Sequence, residues 1–170
     1  MATPHQHEPD WVHHHPHDPN PAPPGEDASF LLISPDGVAH SLSVEALQKL
    51  PFCEIENCYI VSTGHGTSGP FRFGGVRLLT VLNALLPTNQ PWSYVDVYSG
   101  DGFGTRIQAA ELLHEHPERA SLLAWQLDGT PLTRQQGLVR LIVPSETDDA
   151  LKQVKWVSQI VLVNQSPARE

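Results

Sequence analysis

The first 28 residues decide how much of this chain is available to fold. They hold seven prolines, six of the ten histidines, five carboxylates (Glu8, Asp10, Asp18, Glu26, Asp27) and no lysine or arginine. A segment so rich in proline and so poor in aliphatic side chains cannot bury enough apolar surface to offset the entropy of ordering it. It is expected to be a disordered leader, so the packed domain must come from residues 29–164, with 165–170 as a flexible tail. The leader also lacks the basic start, apolar stretch and cleavage site of a secretory signal. The cytoplasm is therefore the expected compartment.

This division changes the meaning of the net charge of −9, because −5 of it sits on the leader. The remaining chain has no basic stripe, which argues against binding nucleic acid through its phosphates. No apolar run is long enough to cross a membrane as a helix. Two cysteines exclude a disulfide framework.

From Ser29 onward the pattern is that of a packed domain. Ser29–Ile33 is a short apolar run closed by the turn Ser34-Pro35-Asp36-Gly37. Ser43 is placed to cap a helix over Val44–Leu50, which Pro51 ends. Glu54–Val61 alternates as a strand, and Ser62 to Pro70 reads as a glycine-rich loop. The spacing of Val76, Leu79, Leu82 and Leu86 predicts a helix over Val76–Leu86. Tyr94–Ser99, Leu122–Leu127, Val139–Val143 and Val154–Val163 read as strands, and Ala109–Glu115 as a helix. About six strands and three helices, without regular βαβ alternation, indicate an α+β domain of mostly antiparallel strands.

Four features are able to carry chemistry. Cys58 ends a predicted strand before the glycine-rich loop, and its thiolate would be a nucleophile or a soft-metal ligand; the alternative is a small buried hydrophobe. Cys53, five positions earlier on a regular strand, is expected to face the other way. His65, between Gly64 and Gly66, would donate to an anion held by the loop amides or act as an acid or base; the alternative is a surface loop. Arg140 and Lys155 lie in otherwise apolar strands, where a cation either reaches an edge or serves a ligand. In the leader, His13, His14, His15 and His17 offer imidazoles to zinc, nickel or copper.

Several motifs stand in order along the chain: Phe73-Gly74-Gly75-Val76-Arg77-Leu78, Ser99-Gly100-Asp101-Gly102-Phe103, and Leu123-Ala124-Trp125-Gln126-Leu127-Asp128-Gly129-Thr130-Pro131-Leu132. The most specific is Gly137-Leu138-Val139-Arg140-Leu141-Ile142-Val143-Pro144 followed by Val154-Lys155-Trp156-Val157. Together they resemble the sulfite oxidase-like molybdopterin-binding domain of molybdenum oxidoreductases. The resemblance implies that fold and a minimal molybdopterin-dependent oxidoreductase of the oxygen-atom-transfer type. It would use Cys58 as the molybdenum ligand, with His65, Arg140 and Lys155 contacting the cofactor, and would act on a small-molecule substrate or redox partner. In the segment after Pro144 the chain carries Glu146, Asp148 and Asp149 where a phosphate-bearing ligand is expected. That departure favours an alternative, a cofactor-free binding module on the same fold. The leader histidines favour a third reading, a metal-handling protein.

Overall fold

The computed structural model describes residues 28–62, 66–87, 90–144 and 153–165. His13, His14, His15, His17, His65 and the Glu146–Asp149 carboxylates lie outside these residues, as do the 1–28 leader (Ala28 excepted) and the last five residues of the tail.

Among the described residues the strands form two five-stranded sheets. The first has β1 (Phe30–Ile33), β2 (Ala39–Leu42), β5 (Tyr94–Ser99), β6 (Gly104–Gln108) and β10 (Val157–Val163), in the order β2-β1-β10-β5-β6. The second has β3 (Cys53–Ser62), β4 (Gly66–Arg77), β7 (Leu122–Leu127) and β8 (Thr130–Pro131) in that order, with β9 (Arg140–Ile142) also pairing β7. Only β1 and β10 run parallel among the named pairs; the rest are antiparallel. The α+β expectation of mostly antiparallel strands and a few short helices therefore holds.

Apolar alternation places the core. Phe30, Leu32, Val95, Val97, Ile160 and Leu162 of the first sheet pack with Val76, Leu123, Trp125 and Leu141 of the second. Helix α1 (Val44–Leu47) adds Leu47, and α2 (Leu78–Leu85) adds Leu78, Val81 and Leu82 to the same cluster. Each such side chain stabilises the fold by roughly 1.5–3 kcal/mol on burial. Because neighbours along a strand point to opposite faces, Leu122, Ala124 and Ile142 turn away from this core. With Ile55, Cys58 and Phe73 they form a second, smaller cluster.

Several elements differ from the sequence expectation for local reasons. The expected loop 62–70 is mostly strand, since Ser62 pairs with Gly66 and β4 continues to Arg77. The pattern at Val76 belongs to the end of β4, so α2 starts two residues later. At Gly75 a β-carbon would lie 2.0 Å from the Leu123 carbonyl oxygen, so only glycine lets β4 approach β7 here. Ser43 caps α1 as expected, accepting from the Ala46 amide at 3.2 Å, but the helix ends at Leu47. Helix α3 covers Ala109–Leu113, and a 3-10 turn, Pro117–Arg119, leads on toward β7.

Candidate cofactor site

The second cluster marks a face of the β3-β4-β7-β9 sheet that also carries charge. Arg140 pairs across from Ala124, so its side chain shares the face of Ala124 and Ile142. It is 6% exposed. Its guanidinium carbon sits 5.3 Å from the centroid of the Phe73 ring, and its Nε is buried with no hydrogen-bond partner. Burial pulls its pKa down to about 10. A buried donor without an acceptor costs stability unless a ligand supplies one.

Lys155 stands beside it. Gly137, at φ +110°, forms the cradle between them: a β-carbon there would lie 3.0 Å from both Arg140 Cγ and Lys155 Cβ. Burial holds the Lys155 ammonium below the usual lysine range, the neighbouring Arg140 charge adds to this, and Asp101 opposes it. The frame is backbone: the Trp156 amide donates to the Gly137 carbonyl at 2.9 Å, the Val157 amide to Val139 at 3.0 Å, and the Gly100 amide to Trp156 at 2.8 Å. Leu138 and Trp156 both take left-handed conformations, φ +58° and +51°. Such positions are rare for large side chains and persist where surrounding structure holds them. The Trp156 indole nitrogen donates to the Arg134 carbonyl at 2.6 Å, which fixes the ring next to Lys155.

Cys58 lies on the same face, with Phe73 in its cluster, but is 3% exposed. Its thiol is directed at the carbonyl oxygens of Ile55 (3.5 Å) and Glu56 (3.8 Å). Burial raises its pKa, against the opposing charge and hydrogen bond of Arg119 and the Phe73 amide. A bulge explains its direction. The β3–β4 register shifts on both sides of Cys58, and Asn57 has φ +56°. The one extra residue between Ile55 and Cys58 reverses the strand's parity, so Cys53 and Cys58 pack against the same cluster. The expectation that they face opposite sides is corrected by this bulge, which alternation alone does not reveal. Both thiols are free.

Arg119 went unnoticed in the sequence because Pro117-Glu118-Arg119 reads as an ordinary loop. Its Nη1 donates to the Glu56 carbonyl at 2.6 Å and the Asn57 carbonyl at 3.4 Å, and its Nη2 to the Pro144 carbonyl at 2.9 Å. The structure thus brings Cys58, Arg140 and Lys155 to one region around Phe73 and Gly137. Among the described residues no group of three or more His, Cys, Asp or Glu is placed to hold a metal ion, and no helix is long and apolar enough to cross a membrane.

The family model described as oxidoreductase molybdopterin binding domain matches residues 41–169. No curated protein matches the chain. Among solved structures, the chain is similar to the sulfane dehydrogenase SoxCD from Paracoccus pantotrophus, with a TM-score of 0.64 and 17% identity. The match covers 81% of this chain and 38% of that one, and it is a likeness of fold.

Proposed function

Because the chain belongs to the oxidoreductase molybdopterin binding domain family, we propose that it is the cofactor-holding domain of an oxidoreductase of the oxygen-atom-transfer type, acting on a small molecule or redox partner. The observation that carries this reading is the Arg140–Lys155 pair. Two cations stand side by side, one of them buried with an unpartnered Nε. Like charges at such range repel, and an anion between them would relieve both the repulsion and the unmet donor.

The anionic, phosphate-bearing end of a molybdopterin has the chemistry to do this, so Arg140 and Lys155 fit that part of the group. Arg140 offers a planar fork and Lys155 a point charge, the usual pair of ways to hold phosphate oxygens. When bound, the molybdenum centre would supply two-electron oxygen-atom transfer. The protein's own contribution is to hold the anion and keep the Phe73 side of the site dry.

Cys58 is the residue that does not fit. Its thiol faces carbonyl oxygens, is kept protonated by burial, and is covered by Ile55 and Phe73 in its own cluster. A metal would reach it only after the bulge opened. No metal bond to Cys58 is proposed for this arrangement, and its burial favours a second reading, the cofactor-free module. The two readings separate on protein purified as the full chain from a host that makes the cofactor. Molybdenum and pterin in constant ratio to protein support the first reading. Protein free of both, from cells in which a control molybdoenzyme is loaded, sinks it and leaves the second.

A further inference from the structure

We propose that Arg119 is the positioning residue of the site, because its one guanidinium fixes the Cys58 bulge and the Arg140 strand relative to each other. The inference does not require the cofactor to be bound.

In the second sheet β4 and β7 lie between β3 and β9, so no single ladder joins the strand of Cys58 directly to the strand of Arg140. Arg119 makes that connection through carbonyls. One arm of its fork takes Glu56 and Asn57, the bulge residues just before Cys58, and the other takes Pro144, just beyond β9. Besides the Cys58 thiol, which is directed at the Ile55 and Glu56 carbonyls, the ladder holds the bulge weakly. It sits on an edge strand, pairing is interrupted on both sides of Cys58, and Asn57 is in a left-handed conformation. Carbonyls released from a bulge on an edge have no ladder partner, and a charged donor is stronger than a neutral one. The guanidinium also stands against the thiol, where its charge favours the thiolate. Removing Arg119 would therefore loosen two segments that are distant in sequence, while leaving the first sheet as it is.

The test combines thiol labelling with hydrogen exchange on the full chain carrying Cys53→Ser, so that Cys58 is the reporting thiol. In Arg119→Ala, native-state labelling of Cys58 should quicken by about 10- to 100-fold, the equivalent of losing hydrogen bonds to a charged group. Amides of residues 55–58 and 141–143 should exchange faster together, with β5 and β10 unchanged. Arg119→Lys keeps the charge but cannot fork between two strands, and should show a smaller acceleration. Should the alanine variant fail to fold, the unsubstituted chain carries the test. Under mild urea its 55–58 and 141–143 amides should open in one step with a common denaturant dependence, below the global transition. Unchanged labelling, separate openings, or acceleration spread equally over both sheets would overturn the proposal.

Discussion

Replacing Arg140 by methionine should make the cofactor-free protein more stable. The guanidinium is 6% exposed, and burial pulls its pKa down to about 10, a desolvation cost on the order of 3 kcal/mol. Its contact with the Phe73 ring, 5.3 Å from centroid to guanidinium carbon, returns roughly 1–2 kcal/mol in a desolvated setting. Methionine has similar length, no charge and no donor to leave unmet, and buried charges replaced by apolar groups of similar volume are often neutral or stabilising. The expected net gain is about 1–2 kcal/mol, seen as a rise of roughly 3–6 °C in melting temperature for a domain of this size. The pH dependence has a definite sign. The folded state binds Arg140's proton more weakly than the unfolded state does, so the penalty is complete below about pH 10 and is relieved as pH rises above that. The gain should therefore be full and flat at neutral pH. Calorimetry at pH 7 on the two proteins, both free of cofactor, is the assay. A loss of more than about 1 kcal/mol in Arg140→Met would overturn this expectation, since it would mean that the guanidinium already has an anionic partner within the chain.

Other substitutions probe the frame of the site and the pairing of β5 with β6 in the first sheet. Gly137→Ala places a β-carbon against Arg140 and Lys155 at φ +110°, and should cost about 1–3 kcal/mol in urea unfolding; a neutral result would mean that the cradle is not tight. Arg106→Leu strands Asp96, which is 4% exposed and bound bidentately at 2.7 and 3.0 Å. It should cost about 3 kcal/mol or more, partly restored by adding Asp96→Asn, and an unchanged urea midpoint would count against that pair. Burial raises the Cys58 pKa above its unfolded value of 9.0. The stability that its neutral thiol contributes is present below about pH 9 and declines as pH rises further. Cys58→Ala should flatten that alkaline decline, measured by urea midpoints from pH 8 to 10, while an identical slope in both proteins would contradict it.

The parts of the fold that were legible in the sequence are those where one local signal dominates. Alternation in Tyr94–Ser99 gives β5, with Val95 and Val97 in the core, and the Ser34–Gly37 turn closes β1, with Gly37 at φ +87°. The mixed, mostly antiparallel class followed from the same signals. What was not legible depends on pairing partners distant in sequence. Strands β2 and β6 carry weak apolar patterns and exist because β1 and β5 pair with them. Glycines 66 and 69 suggested a loop, yet both lie within β4, which pairs with β3. In the site, Arg140 and Lys155 stood out because a cation in an apolar strand is unusual. Arg119 did not stand out, because its role depends on carbonyls of residues 56, 57 and 144 that only the folded chain brings together. Cys58 stood out by type, while its direction was set by a bulge that residue identities do not announce.

If Arg140 and Lys155 together hold an anionic pterin, replacing both must empty the protein of it. The most direct test is pterin content, measured by fluorescence after oxidative release, for the full chain and for an Arg140→Met, Lys155→Met variant made in the same cofactor-producing host. Pterin is expected in constant ratio to protein in the parent chain, and none above background in the folded variant. Equal pterin in both proteins, or none in either, would contradict that role for the pair.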